Sequence, residues 1–321
     1  MWRLRCAMLS CVAFTVPACA FAQSPGWPVK PLRFLISFAP GGFTDTLART
    51  MADRLANTLG QPVLAENRPG AGGVLAAEAT AKSLPDGYTL LMVSSGLAIN
   101  ATLQTKLPYD TVRDLQPVAL IAELPNLLIV HPSLPVKTVK DLIALAKQQP
   151  GKLSYASAGV GSSQHLSGEL FKSMTGVDIA HVPYKGGAPA TIDLLGGHVH
   201  LTFGSTSPLA SVRAGRLRLI AVTSAKRNTA LPDAPTIGES IPGYEASVWY
   251  AVMTTAGTPR DIVQRVANEI RKVTDDPTER AKFVEQTAEL RWMGPDELGT
   301  FIRGEIKRWG EVVKRSGARV D

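Results

Sequence analysis

Residues 38–49, read as FAPGGFTDTLAR, combine a Pro-Gly-Gly turn with the start of a helix and could bind an anion. The apolar run at 32–38 predicts a strand before the turn. Apolar residues then recur at every fourth position and predict one face of a helix: Leu47, Met51, Leu55 and Leu59. Gly41 and Gly42 lack side chains, so a ligand can approach their backbone closely. The first N–H groups of a helix lack internal partners and carry partial positive charge, which suits a carboxylate.

A second turn, at residues 158–166 (AGVGSSQHL), repeats this order of strand end, glycines and helix start. Neither 40–45 nor 159–163 contains lysine or arginine, so N–H groups, hydroxyls and helix dipoles must compensate the charge of a ligand. Charge-assisted hydrogen bonds contribute roughly 1.5–3 kcal/mol each, so four give roughly 8 kcal/mol, a dissociation constant of about 1 μM. The alternative for the first turn is purely structural, with Thr44 or Asp45 capping the helix.

The composition is that of an ordinary globular protein, with 321 residues, 45% of them hydrophobic and 19% charged. This length allows two domains. The net charge of +7 is scattered along the chain without a dense basic block. We therefore predict a solvated basic surface and no nucleic-acid partner.

The first 22 residues are typical of a cleavable signal peptide. A charged start at 3–5, an apolar run at 6–20 and the small-x-small triplet at 20–22 predict a mature chain that begins at Gln23. The alternative is lipoprotein processing at Cys19. All three cysteines lie in this leader, so we expect no disulfide, thiolate metal site or cysteine nucleophile in the mature chain. No later apolar run is long enough to cross a bilayer, so we expect an exported, soluble protein.

Strand and helix patterns alternate along the chain and predict parallel sheets with helices on both sides. The apolar run 117–130, broken by Pro125, is interpreted as a strand that leaves one sheet and continues in another. Residues 246–255 are interpreted as the return crossing, and three helices are predicted after it. These crossings predict two similar lobes with a cleft between them, 23–122 with 248–321 and 123–247.

Other motifs that could carry chemistry have simpler explanations. Residues 162–165 (SSQH) lack the spacing of a nucleophile and its base, so we interpret them as a helix cap followed by a packed histidine. His198 and His200 lack a third metal ligand. The Gly-x-Gly at 159–161 lacks the third glycine of a dinucleotide fingerprint. We therefore predict no catalytic residue, no metal and no cofactor.

Eight segments, in order along nearly the whole predicted mature chain, resemble the tripartite tricarboxylate transporter substrate-binding family, the Bug proteins of Gram-negative bacteria. They are FAPGGFTD at 38–45, ENRPGAGG at 66–73, PDGYTLL at 85–91, LPYD at 107–110, YASAGVGSSQHL at 155–166, HVPYKG at 181–186, IAVTSAKR at 220–227 and SGARVD at 316–321. Each segment alone is a weak signal, and the eight together are specific.

The resemblance implies an α/β fold, the two-lobe periplasmic binding protein of Venus-flytrap type II. Each lobe would be a mostly parallel sheet flanked by helices, and two crossing strands would join the lobes. The resemblance also implies a small organic carboxylate as ligand, delivery to integral-membrane permease subunits of the tripartite tricarboxylate type, and a monomer in the periplasm. Two alternatives are a ligand-sensing binder for a sensor kinase and an exported, hydrolase-like α/β enzyme.

In the family, the ligand's carboxylate is held by the loops that match 40–45 and 157–163. Polar residues at strand ends and neighbouring turns complete the predicted site, because ligands gather there in α/β sheets. The predicted ligand-binding residues are Phe38, Pro40, Gly41, Gly42, Thr44, Asp45, Ser94, Ser95, Asn100, Ser157, Gly159, Gly161, Ser162, Ser163, Tyr184, Gly204 and Ser205. Lys185 is the one nearby cation and could contact the ligand or be solvated. Most strand aromatics are expected in the core, and one or two could line the cleft: Phe38, Phe203, Trp249 and Tyr250.

The position after the strand predicted at 199–203 bears on the kind of carboxylate. Amino-acid-binding members of the family often have an acid there, which meets the ligand's ammonium group. This chain has Gly204, followed by Ser205 and two further hydroxyl residues. A buried ammonium group without a carboxylate costs several kcal/mol. We therefore predict a ligand without an α-amino group, namely a dicarboxylate, a hydroxy acid or an aromatic carboxylate.

Overall fold

The computed structural model describes residues 26–206 and 208–316, which form two β-sheets flanked by helices. The predicted leader with its three cysteines, Ser207 and the end of the SGARVD segment lie outside the described residues. Within the described ranges, every helix is too short or too polar to cross a bilayer.

Strands and helices alternate along the described chain, as the sequence pattern predicts. The strands are β1 Leu32–Ile36, β2 Val63–Asn67, β3 Thr89–Ser94, β4 Leu115–Pro125, β5 Leu127–Val130, β6 Leu153–Ser157, β7 Ile179–Pro183, β8 Leu201–Gly204, β9 Arg218–Val222, β10 Ser247–Thr255 and β11 Glu289–Met293. The helices are α1 Phe43–Leu59, α2 Val74–Ala81, α3 Gly96–Leu103, α4 Val139–Gln148, α5 Ser163–Thr175, α6 Gly187–Leu195, α7 Leu209–Arg213, α8 Arg260–Asp275, α9 Pro277–Val284 and α10 Pro295–Ser316.

Each lobe is built on one mixed sheet. The first lobe has the strand order β11-β4-β10-β3-β1-β2, in which β10 and β11 run against the other four strands. The second lobe has the order β7-β6-β8-β5-β9, in which β5 runs against the others. Most strands of each sheet therefore share one direction. The neighbouring pairs are mixed because the strand that arrives from the other lobe, β10 or β5, inserts antiparallel between two strands.

The predicted crossing strand is confirmed, since β4 ends at Pro125 in the first sheet and β5 begins at Leu127 in the second. Thr223 links the two chain segments that pass between the lobes. Its hydroxyl accepts a hydrogen bond from the Asn126 N–H at 2.8 Å and donates one to the Ala246 carbonyl at 2.8 Å. Its backbone N–H and carbonyl pair with the same two residues at 2.9 Å. The strands that connect the lobes are therefore fixed to each other at one buried point.

Two elements differ from the sequence-based prediction. Helix α3 begins after a single intervening residue, Ser95, and its apolar residues gave no amphipathic pattern that would separate it from the strand. Strand β11 lies between α9 and α10, where only helices were predicted. It is a five-residue strand at the sheet edge with Glu289 and Arg291 exposed, so its alternation was too short to be recognised.

The apolar core is continuous between the lobes. Helix α10 packs on α3 in the first lobe and on α5 in the second. One buried cluster includes Leu97 of α3, Leu166 of α5 and Trp309 of α10. Helix α10 therefore packs against both lobes.

Candidate functional site

A cavity of about 30 Å³ lies between the lobes, where the loops after β1, β3, β6 and β8 converge. Residues of both lobes line it, so the lobes meet at this cavity. Among the described residues, no charged side chain lines it. The lining residues are Phe38, Ala39, Gly42, Phe43, Thr44, Ser94, Ala158, Ser162, Ser163, Gln164, Gly187, Ser205 and Tyr250.

The first turn of α1 forms one wall of the cavity. Gly42 is its N-cap residue, in an extended conformation with φ −89°, and it makes no side-chain cap hydrogen bond. Thr44 and Asp45 lie inside the helix at its second and third positions, so neither of them is the N-cap residue. The first N–H groups of α1 are left without a side-chain cap at the edge of the cavity, where an anion would be favoured.

Asp45 organises the loop from outside the cavity. Its carboxylate accepts hydrogen bonds from Gly41 N–H at 3.1 Å, Arg49 Nε at 3.0 Å and Asn67 Nδ2 at 2.8 Å. Burial opposes its ionisation, but these bonds outweigh burial and hold the pKa of Asp45 below its ordinary value. The Asn67 amide also donates to the Phe38 carbonyl at 2.9 Å. The acid therefore fixes the shape of the turn that a ligand would meet.

The first turn of α5 forms the opposite wall, from the second lobe. Ser162 is the N-cap residue, and its hydroxyl accepts a hydrogen bond from His165 N–H at 3.3 Å and donates to the Gly159 carbonyl at 2.7 Å. The interpretation of this segment as a helix cap is confirmed. The Ser162 hydroxyl donates to a backbone carbonyl and not to a base, so Ser162 lacks the pairing of a nucleophile.

A stack of three side-chain rings supports this loop. The rings of His165 and His181 are 4.2 Å apart and those of His181 and Tyr155 are 4.8 Å apart. His165 Nδ1 accepts from Gly161 N–H at 3.3 Å, and His181 Nε2 lies 2.6 Å from the Ser157 hydroxyl. Burial lowers the pKa of His165 to about 4 and, helped by the neighbouring His165, that of His181 to about 3. Both rings are therefore neutral at neutral pH and act as hydrogen-bonding supports.

We expect the free energy of unfolding to fall as the pH is lowered from about 6.5 to 4. The folded-state pKa of His165 lies below its ordinary value, so the unfolded chain binds more protons in this window. The loss from His165 alone reaches about 3 kcal/mol at the acid end of this pH range, and His165 contributes no pH dependence above its ordinary pKa. Urea unfolding at several pH values measures it. His165→Asn should flatten the dependence, whereas the exposed control His198→Asn should not; equal slopes in all three proteins would contradict the assignment.

Three glycines let the two lobes touch beside the cavity. A Cβ atom at Gly72 in the first lobe would lie 2.2 Å from the Val160 carbonyl oxygen in the second. A Cβ at Gly161 would lie 2.1 Å from Asn100 Oδ1, and one at Gly186 would lie 3.3 Å from the Ala39 Cβ. The closed contact therefore depends on the absence of side chains at these positions.

The structure brings seven of the predicted site residues to the cavity wall. They are Phe38, Gly42, Thr44, Ser94, Ser162, Ser163 and Ser205. The others lie around the cavity without lining it: Pro40, Gly41, Asp45, Ser95, Asn100, Ser157, Gly159, Gly161, Tyr184 and Gly204. The Tyr184 hydroxyl donates to Asp193 at 2.6 Å, and Lys185 is exposed. Asn100 lines a smaller cavity of about 10 Å³ that shares Phe38 and Ser94 with the first.

Sequence reasoning left several wall residues out of the predicted set. They are Ala39, Phe43, Ala158, Gln164, Gly187 and Tyr250. Tyr250 was expected among the strand aromatics that could line the cleft, and its pairing with Ser94 across β10 and β3 places it there. Burial raises the pKa of Tyr250 to about 12, despite a hydrogen bond with Thr44, so the phenol is neutral. The predicted start of α5 was the signal that could have identified Gln164 as a wall residue. Residues in the first turn of a helix lie together at its exposed end.

The chain is similar to known proteins along nearly its whole length. The family described as "Tripartite tricarboxylate transporter family receptor" matches residues 47–318. The chain is 38% identical to protein BugT of Bordetella pertussis over 318 residues, which cover 98% of each chain.

Two solved structures are also similar. An R. palustris protein determined with adipate is 40% identical, with a TM-score of 0.88 over 91% of this chain and 98% of that one. MatC from Rhodopseudomonas palustris, determined with bound malate, is 32% identical, with a TM-score of 0.85 over 89% of this chain and 100% of that one.

Proposed function

Because the chain belongs to the tripartite tricarboxylate transporter receptor family and is a periplasmic solute-binding protein rather than an enzyme, we propose that it captures a small organic carboxylate between its lobes. It then delivers this ligand to the integral-membrane subunits of a tripartite tricarboxylate-type permease. The observation that carries the proposal is the meeting of two helix N-termini, those of α1 and α5, at one cavity from opposite lobes.

The chemistry of the lining supports an anion held without a salt bridge. Thr44, Ser94, Ser163 and Ser205 supply hydroxyls, and the first turns of the two helices supply N–H groups and dipoles. These neutral donors would meet the ligand's carboxylates, with Gly41 and Asp45 keeping the first loop in shape. The related R. palustris proteins were determined with adipate and malate, which are both dicarboxylates, and we extend that class to this chain.

The lobes touch beside the cavity at Gly72 and Gly161, so capture would require the lobes to open and close again. We propose that the lobes comprise 23–122 with 248–321 and 123–247. The hinges would lie near 122–125 and 245–248, where the crossing strands leave each sheet. Thr223 sits between these two segments, so they would bend together.

Gly42→Val is expected to weaken binding at least 100-fold and to leave the fold intact. A Cβ atom at Gly42 would have no protein atom within 4 Å, and its φ of −89° is open to valine, so the added methyl groups would enter the cavity. Calorimetric titration measures the affinity. Gly304→Val in α10 is the control, since it also adds a side chain without a contact. Wild-type affinity in Gly42→Val would remove Gly42 from the site.

Export should leave a mature chain that begins at Gln23. The triplet at 20–22 offers the small residues that signal peptidase requires. Intact-mass measurement of protein recovered from the periplasm determines the mature N-terminus directly. A mass that includes Cys19 with an attached lipid would instead mean a membrane-anchored lipoprotein.

A thermal-shift screen of dicarboxylates, hydroxy acids, aromatic acids and amino acids tests the proposed function. Ligand at 100 times its dissociation constant should add about 2.7 kcal/mol of stability, and mass spectrometry should recover it chemically unchanged. Stabilisation by none of the organic anions, or conversion of one into a product, would contradict the proposal.

A further inference from the structure

Gln164 lines the cavity and carries an unpaired acceptor. The residue is 6% exposed, and its Oε1 atom is buried without a hydrogen-bond partner. Among the described lining residues, it is the one with such an atom. Buried polar atoms are almost always paired in native proteins, so an unpaired one at a binding site indicates a group that the ligand brings.

The position of Gln164 in α5 gives it two ways to contact a ligand. It is the second residue of the helix, so its backbone N–H precedes the first intrahelical hydrogen bond and is free for an anion. Its side-chain oxygen accepts hydrogen bonds and cannot donate one, so a carboxylate would repel it. A plain dicarboxylate bound at this helix would therefore leave Oε1 unpaired.

We propose that Gln164 selects a 2-hydroxy carboxylate. The carboxylate would bind the N–H groups at the start of α5, and the hydroxyl on the adjacent carbon would donate its proton to Gln164 Oε1. This inference rests on the proposed function and specifies the ligand of the same site. Because Oε1 has a fixed place beside the helix, one enantiomer of the hydroxy acid would fit and the other would direct its hydroxyl away.

The cavity favours a hydroxyl over an ammonium group as the donor. An ammonium group has three protons to place and a positive charge to compensate, and the described lining offers neither a carboxylate nor a second orphaned acceptor. A hydroxyl has a single proton, which matches Gln164 Oε1, the one unpaired acceptor among the described residues that line this cavity. Its own oxygen can in turn accept from neighbouring hydroxyls such as that of Ser163.

Titration of L-malate, D-malate and succinate into the wild-type protein and Gln164→Met tests the proposal. Methionine keeps the length of the side chain and removes the amide. The wild-type protein should bind one malate enantiomer about tenfold more tightly than succinate. Gln164→Met should lose this preference and bind succinate within twofold of wild type, and Gln148→Met on the exposed end of α4 should behave as wild type.

Three outcomes would overturn the proposal. The wild-type protein could bind succinate as tightly as both malates, or it could fail to distinguish the enantiomers. Gln164→Met could weaken succinate and malate equally, which would mean that the amide nitrogen contacts a carboxylate. Each of these leaves carboxylate binding intact, whereas no binding of any dicarboxylate would instead count against the proposed function.

Discussion

Replacing Gly72 or Gly161 with alanine is expected to weaken ligand binding at least 100-fold by preventing closure. At Gly72 the new Cβ would lie 2.2 Å from a backbone oxygen of the other lobe, which cannot move without shifting its loop. At Gly161 it would lie 2.1 Å from Asn100 Oδ1, and the Asn100 side chain is buried and bonded to the Gly72 carbonyl at 3.1 Å. Each lobe should still fold, because both clashes lie between lobes.

Small-angle scattering and calorimetry together measure this effect. The wild-type protein should contract when saturated with ligand, and the two alanine variants should not. Both glycines have positive φ angles, of 63° and 79°, which alone destabilise alanine. Gly60→Ala separates the two causes, because Gly60 has a φ of 71° and no atom within 4 Å of a Cβ. Wild-type affinity in Gly72→Ala would mean that the bound state is not the closed one.

Amino acids are expected to bind at least tenfold more weakly than amine-free acids of the same length. Ser205, the residue after β8, lines the cavity, and the described cavity lining contains no aspartate or glutamate. A buried ammonium group would lose its water without gaining a carboxylate, at a cost of several kcal/mol.

Paired titrations of glutamate with glutarate and of aspartate with succinate measure this preference. Each pair keeps the chain length and both carboxylates and differs by the ammonium group alone. Equal or tighter binding of either amino acid would contradict the expectation. It would also mean that an acid outside the closed lining reaches the ligand in the bound state.

The sequence predicted the βα units well because each has a strong local signal. The turn predicted at 158–166, with a strand end, glycines and a helix start, joins β6 to α5 in the structure. Helix α3 and strand β11 were missed because the first is uniformly apolar and the second is short, polar and at an edge. Local patterns identify elements whose apolar residues keep a clear period over several repeats, whereas α3 has no such period and the alternation of β11 is too short.

The site was harder to predict because its walls come from distant parts of the chain. Gly42, Ser94, Ser163 and Ser205 were found as ends of local motifs, and they converge because parallel strands end at the same edge. Tyr250 depends on the register of β10 against β3, which the sequence did not specify. The contact between Gly72 and Val160 exists only once the lobes close.

Calorimetric titration of the wild-type protein with dicarboxylates, each paired with its dimethyl ester, is the most direct test of carboxylate binding between the two loops. The ester keeps the carbon chain and removes both negative charges. We predict one binding site with a dissociation constant of about 1 μM or lower for at least one diacid. We also predict no measurable binding of its ester and none of the diacid to Gly42→Val. Equal affinity for diacid and ester, or for wild type and variant, would contradict anion capture at the helix N-termini.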